Sequence, residues 1–353
     1  MEAPGRTTVA VAAATLVVAA ASLLAAGGGG PAPHTVERTP RAPATAPSIR
    51  VSAVSEGVGL LSARDGAMLA FVSGELLPRP AEAVNDGGSF WVFDADPPTF
   101  VQLDPVAGSI IRRLHSPVSD VGFFTVVGKV MWMTDETHGG VTAIDTTGGR
   151  TLRTFHRLPG RGGSAGIVMS HGSLWVARPE AAGGDGILVR LDPRTGHVQR
   201  LFRALPGTYD LASELDGTVW SGGTFGEVNR IDPVTNEVIR ADTEGRNYSV
   251  AAGDGSAWTA DTLKGVVYQV DANGDVVSQV ETAAGARSVA YSDGVVWIGN
   301  RETGTVTRID AAGHVSSYRF DHDVISLAAG SGVVLVGFGA PALAAAQADP
   351  DAH

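Results

Sequence analysis

The stretch DGTVWSGGTFGEVNRIDPVTNEVIRAD, residues 216–242, decides the fold of this chain. It opens on an Asp-Gly turn and runs into a short apolar segment ending at Trp220. A second segment, VNRI, alternates apolar and polar residues up to Asp232. That period of two belongs to a strand. The sequence DPVTN follows. Its Asp caps a turn, its Pro fixes φ, and its Asn takes the left-handed position that closes a hairpin. Residues 237–242 supply the returning strand.

The same unit recurs on both sides. The six tryptophans are Trp91, Trp132, Trp175, Trp220, Trp258 and Trp297, spaced by 41, 43, 45, 38 and 39 residues. Turn-plus-Trp copies include HGSLW at 171–175, DGSAW at 254–258 and DGVVW at 293–297. A seventh copy, SGVVL at 331–335, has Leu335 in the tryptophan position. The Asp-turn motif recurs as VQLDPVAG (101–108), VTAIDTTGG, LVRLDPRTG (188–196), VYQVDANG and VTRIDAAG. No helical period competes with this pattern after residue 50.

Each unit therefore reads as four antiparallel strands, a to d. Strand a precedes the Asp-Gly turn, b holds Trp, c ends at the turn Asp, and d follows it. One such sheet cannot bury both faces, but sheets stacked around an axis can. The expected fold class is all-β, a seven-bladed β-propeller over residues 49–340. Six units are complete. Residues 324–338 supply only strands a and b, and residues 58–73 look like c and d, so the two ends should share the seventh blade. The tryptophans should lie between blades.

Composition narrows the function. The chain has 353 residues, 26 Lys plus Arg against 37 Asp plus Glu, and a net charge of −11. Duplex nucleic acid needs a basic face, so no nucleic-acid partner is expected. There is no cysteine, which excludes disulfides, thiolate metal sites and a catalytic Cys. The histidines show no zinc spacing, and no Gly-x-Ser-x-Gly elbow precedes a helix.

At the N-terminus, Arg6 precedes an uncharged stretch, Thr7 to Pro33. A positive residue before an apolar run marks a secretory signal or a membrane anchor, assigned here to residues 1–26. Residues 27–48 read as a Gly/Pro-rich linker and 341–353 as a loose tail. The propeller is expected outside the cytoplasm, secreted or held by that single segment, with no other membrane contact. A monomer is expected.

The Gly-x-x-Trp turn and the I-D-P-x-T-G hairpin resemble the repeats of the streptogramin lyase-like and YVTN-type seven-bladed propellers. The resemblance covers residues 50–340. For the virginiamycin B lyase branch it implies a His and acidic residues that carry elimination with a magnesium ion. In that branch strand b commonly reads Trp-Phe-Thr-Glu. Here the residues after Trp are VFD, MTD, VAR, SGG, TAD and IGN.

The Asp-Gly and DPxTG turns repeat nearly unchanged, so the face they share is dictated by hairpin geometry. Sequence varies in the b–c and d–a loops on the opposite face, around the channel mouth. The third residue after Trp begins each b–c loop and includes Asp94, Asp135, Arg178, Asp261 and Asn300. The d–a loops add Tyr209, Asp210, Tyr248, Arg287 and His322. These ten form the expected ligand-binding set, and no catalytic residue is assigned. Asp94, Asp96, Asp135 and Glu136 fall on adjacent blades and are the residue type that holds calcium. Apart from calcium or magnesium, no cofactor is expected. The b–c loop of the third complete blade is lengthened by EAAGGDG, 180–186. The reading favours an exported, non-enzymatic propeller that binds a protein or a small polar ligand at this mouth. A metal-dependent lyase at the same place is the alternative.

Overall fold

In the computed structural model the described residues are 49–341, apart from 161, 180–184, 207 and 244. They contain strands and no helix. The assigned export segment, the linker and the C-terminal tail lie outside the described residues, as does most of the lengthened loop at 180–186. Seven four-stranded antiparallel sheets follow chain order: 80–115, 121–155, 167–206, 208–242, 247–281, 286–320, and a composite seventh. We number these blades one to seven.

The strand before each Asp-Gly-type turn is innermost. Pro80–Asn85, Val121–Val127, Ile167–Ser170, Thr208–Ser213, Asn247–Gly253, Ala286–Ser292 and His322–Gly330 each touch the next around a closed ring. Blade seven joins the two ends of the propeller as expected from sequence. Gly57–Ser62 pairs with Val333–Pro341, with Gly57 opposite Phe338 and Leu60 opposite Leu335, and Met68–Ser73 completes it.

One strand was not expected. Ile49–Ser52 adds to blade six as a fifth strand, parallel to Val315–Phe320. It covers an outer edge that would otherwise leave backbone groups unpaired. Just beyond it, the Val54 N–H donates to Asp321 Oδ1 at 2.8 Å.

The core is seven separate clusters, one in each gap between blades. Trp91 of blade one packs with Phe124, Met131, Met133 and Ile144 of blade two. Trp132 packs on blade three, Trp175 on four, Trp220 on five, Trp258 on six and Trp297 on seven. Leu335 closes the circle against Phe90, Val92, Val101 and Leu103 of blade one. Five tryptophans are buried, with relative exposures of 0–3%. Trp258 is only partly buried.

The motif turns carry their sequence's geometry. Asp293 and Gly294 both take positive φ, 53° and 75°, as a two-residue hairpin turn of this hand requires. In the DPxTG turns the Asp carboxylate caps the loop: Asp232 Oδ1 accepts the N–H of Val234 at 2.7 Å and of Thr235 at 2.9 Å. Such bonds favour the ionised form and hold Asp104, Asp145, Asp192 and Asp232 below the usual carboxylate range.

Candidate functional site at the channel mouth

Each innermost strand carries a bulge near its mouth end. Ladder pairing shifts between Pro80 and Glu82, Val121 and Phe124, Thr208 and Asp210, Asn247 and Val250, Ala286 and Ser288, and Val324 and Ser326. In blade three, Ala177 bonds with both Ala165 and Gly166, which is the same two-against-one arrangement. A bulge of this kind re-aims side chains and is common beside functional sites. At each bulge two residues stand against one of the partner strand, giving a ring of paired positions at the channel mouth. The first position holds Ala81, Gly122, Ala165, Tyr209, Tyr248, Arg287 and Ile325. The second holds Glu82, Phe123, Gly166, Asp210, Ser249, Ser288 and Ser326.

This ring brings together four of the sequence-predicted residues, Asp210 at a second position and three others at first positions. Tyr209, Tyr248 and Arg287 occupy the first bulge position in blades four, five and six. They were expected in d–a loops and instead sit on the innermost strands, because the strand begins before the bulge and the chain stays in the sheet through it. The rings of Tyr209 and Tyr248 meet edge to face at 5.9 Å. The Arg287 guanidinium lies over the Tyr248 ring at 5.5 Å. On its other side Tyr209 meets Phe123 of blade two, edge to face at 5.6 Å. Between them blade three carries only Ala165 and Gly166, and at Gly166 its backbone lies directly against that of blade four. A Cβ on Gly166 would lie 2.7 Å from the Leu211 nitrogen and 2.8 Å from the Tyr209 oxygen. The result is a continuous row, Phe123–Tyr209–Tyr248–Arg287, along one side of the mouth.

Carboxyl groups complete the site. The Tyr209 hydroxyl donates to Glu136 Oε1 at 3.4 Å. Burial and the neighbouring Asp120 push the Glu136 carboxyl up, and burial followed by Glu136 pushes the Tyr209 phenol up. Glu82, in blade one, was missed by the sequence reading. Burial, reinforced by the charge of Asp210, pushes it up to about 8. Asp210 is also pushed up by burial, to about 6, although it accepts two backbone N–H bonds. These are Leu211 N–H at 2.7 Å and Val250 N–H at 3.0 Å. The second bond reaches the next blade, so Asp210 ties blade four to blade five. Ser249 repeats the tie, accepting the Val289 N–H of blade six at 3.2 Å.

The other predicted residues are engaged within the fold. Asp94 is 2% exposed and accepts the N–H of Arg79 at 3.0 Å and of Asp96 at 3.2 Å. Asp135 caps its own loop through the His138 N–H at 2.7 Å and also meets the His138 ring. Arg178 is 3% exposed and binds Ser164 Oγ and the carbonyl oxygens of Gly139, Gly160 and Gly162. It is thus the hub that holds the Gly-rich 160–166 loop. Asp261 caps its turn through Leu263 and Lys264 N–H groups. Asn300 donates to the Thr305 oxygen across its own hairpin at 3.1 Å. His322 pairs with Asp321 at 3.1 Å, beside the incoming N-terminal segment. Five of these six, Asp94, Asp135, Arg178, Asp261 and Asn300, are the third residue after Trp, and their engagement follows from that register: each stands at or beside a strand end and satisfies the loop leaving the sheet, and all but Asp135 are buried. Among the described residues no three acidic or histidine side chains gather at metal-binding distance.

No protein-family model matches this chain, and no curated protein matches it. Among solved structures, a streptogramin B lyase is similar, with a TM-score of 0.62 at 16% identity, covering 73% of this chain and 90% of that one. A catalytically inactive histidine-to-alanine variant of virginiamycin B lyase from Staphylococcus aureus, with quinupristin, gives a TM-score of 0.59 at 14% identity. That likeness covers 74% of this chain and 94% of that one. At such identity the likeness establishes the fold alone: the chain is a seven-bladed β-propeller similar in fold to these lyases.

Proposed function

We propose that this chain is an extracytoplasmic, non-enzymatic propeller that binds a small polar ligand at its channel mouth. The observation that carries the reading is the Tyr209–Tyr248–Arg287 row. Propeller geometry needs only a bulge at these positions, and other blades satisfy it with Ala81, Gly122 and Ala165. Two phenols and a guanidinium on consecutive blades exceed that need. They place a few convergent polar groups beside aromatic rings, the mix that small-molecule sites use. Export is supported by Arg6 and the uncharged stretch behind it.

A second reading, elimination on a cyclic peptide-like substrate, is favoured by the two lyase folds and by carboxyls at the mouth with raised pKa values. The test is to incubate the purified protein with quinupristin, with and without magnesium, and follow the compound by chromatography. The binding reading expects no conversion. Conversion that is lost on Glu82→Gln or Asp210→Asn overturns it in favour of the enzyme. For the location of binding, the triple change Tyr209→Ala, Tyr248→Ala, Arg287→Ala should abolish ligand binding. Arg194→Ala, Glu237→Ala, His314→Ala on the opposite turns should leave it intact.

A further inference from the structure

The proposed mouth site contains one cation and one anion that face each other without touching. Arg287 is exposed, and its guanidinium makes no hydrogen bond and no ion pair among the described residues; its recorded contact is the Tyr248 ring. Glu136 feels the charge of Arg287, yet no ion pair within 4.0 Å joins them, and its side chain accepts only the Tyr209 hydroxyl. Two mobile, oppositely charged side chains at a solvent-open mouth would ordinarily close on each other. Here each is held by an aromatic neighbour, Arg287 by Tyr248 and Glu136 by Tyr209, and those two rings pack against each other. The charges are therefore kept apart by a braced spacer.

A cation and an anion held at the two ends of one aromatic pair suit a guest that carries both signs. A carboxylate would take the planar fork of Arg287, which presents paired N–H donors. An ammonium beside it would face Glu136, with Asp120 as a second nearby carboxylate. A lone anion would meet the carboxylates of Glu136 and Asp120. A lone cation would meet Arg287. The edges of Phe123 and Tyr209 offer an apolar wall for a ring or chain. Resting on the ligand-binding reading above, we propose that the ligand is a zwitterion of the α-amino-acid type with an apolar side group. Its carboxylate sits on Arg287 and its ammonium faces Glu136.

The experiment compares three compounds of one shape by calorimetry on the full propeller: phenylalanine, phenethylamine and 3-phenylpropionate. Phenylalanine should bind at least about tenfold tighter than either partner, since each charge-assisted bond removed is worth about that factor. Arg287→Gln should reduce phenylalanine to the level of phenethylamine, and Glu136→Gln should reduce it to that of 3-phenylpropionate. Arg287→Lys, which keeps the charge and loses the fork, should fall between. Equal binding of a single-charge compound, an unchanged Arg287→Gln variant, or no phenylalanine binding up to about 10 mM overturns the proposal. Neutral N-acetylphenylalaninamide separates the two levels of argument. If it binds and Tyr209→Ala abolishes that binding, the mouth remains a ligand site and only the zwitterion is rejected. If none of the four compounds binds, both readings fail.

Discussion

Trp220 and Trp258 occupy the same repeat position and should differ in worth. Trp220 is fully buried and its indole N–H donates to Glu214 Oε1 at 2.6 Å. Trp220→Ala should destabilise by about 3–5 kcal/mol through lost burial and the cavity left behind. Trp258 keeps part of its surface in water, so Trp258→Ala should cost less, about 1–3 kcal/mol by partial burial. Urea unfolding of the two variants checks the order, and a larger loss at Trp258 would contradict it. Glu82 gives a second residue-level prediction. Its folded pKa of about 8 lies above the unfolded value of 4.5. Below 4.5 both states hold the proton. Between 4.5 and 8 the unfolded chain loses it while the folded chain keeps it, so stability falls across that window. Glu82→Gln should therefore melt with the parent near pH 4 and above it at pH 9. Glu82 was legible in principle. It lies nine residues before Trp91, as Phe123, Ser249 and Ser288 lie nine before their own tryptophans. Reading loops for function hid it, because the position belongs to a strand.

At the scale of strands and turns, hairpins were readable because Gly, Pro, Asp and Asn each impose a local backbone geometry. The composite blade was readable too, since two half-units with complementary missing strands admit one closure. The bulges were not. An extra residue in a strand shifts alternation by one place, and a segment such as TYDLAS gives no local sign of it. The N-terminal strand Ile49–Ser52 was not readable either, because IRVS is too short to show a period. Two truncations test the closure. A chain ending after Phe320 loses Val333–Pro341, the strand that pairs with Gly57–Ser62, together with the innermost strand His322–Gly330, and uncovers the faces that blades six and one turn toward them, so it should not melt cooperatively. A chain ending after Pro341 retains every described strand and should melt with the parent. Removing residues 1–52 should lower the melting temperature modestly, since it strips one outer strand from blade six and leaves the inner ring whole.

Over the whole molecule, acids of two kinds pull stability in opposite directions. The turn-capping Asp104, Asp145, Asp192 and Asp232 have depressed values. Their contribution is present above the unfolded value and is lost as pH falls through the folded one. Asp210 and Glu82 have raised values and cost stability as pH rises toward 6 and 8. A net charge of −11 adds self-repulsion on the alkaline side. The melting temperature should therefore peak at about pH 5 and decline on both sides, rather than hold a plateau to pH 8. A flat profile from pH 5 to 8 in thermal melts would contradict the assignment of these two channel acids.

The pairing of Gly57 with Phe338 has a further consequence, in the order of folding. The strand that begins the propeller finds its partner only in the last strand of the propeller. Until these two meet, blades can form in turn, but the circle stays broken and its terminal hairpin has one naked side. Contacts so distant along the chain are entropically late and slow to form. Closure is therefore a single long-range event, and whatever separates these two strands opens the whole circle at one seam.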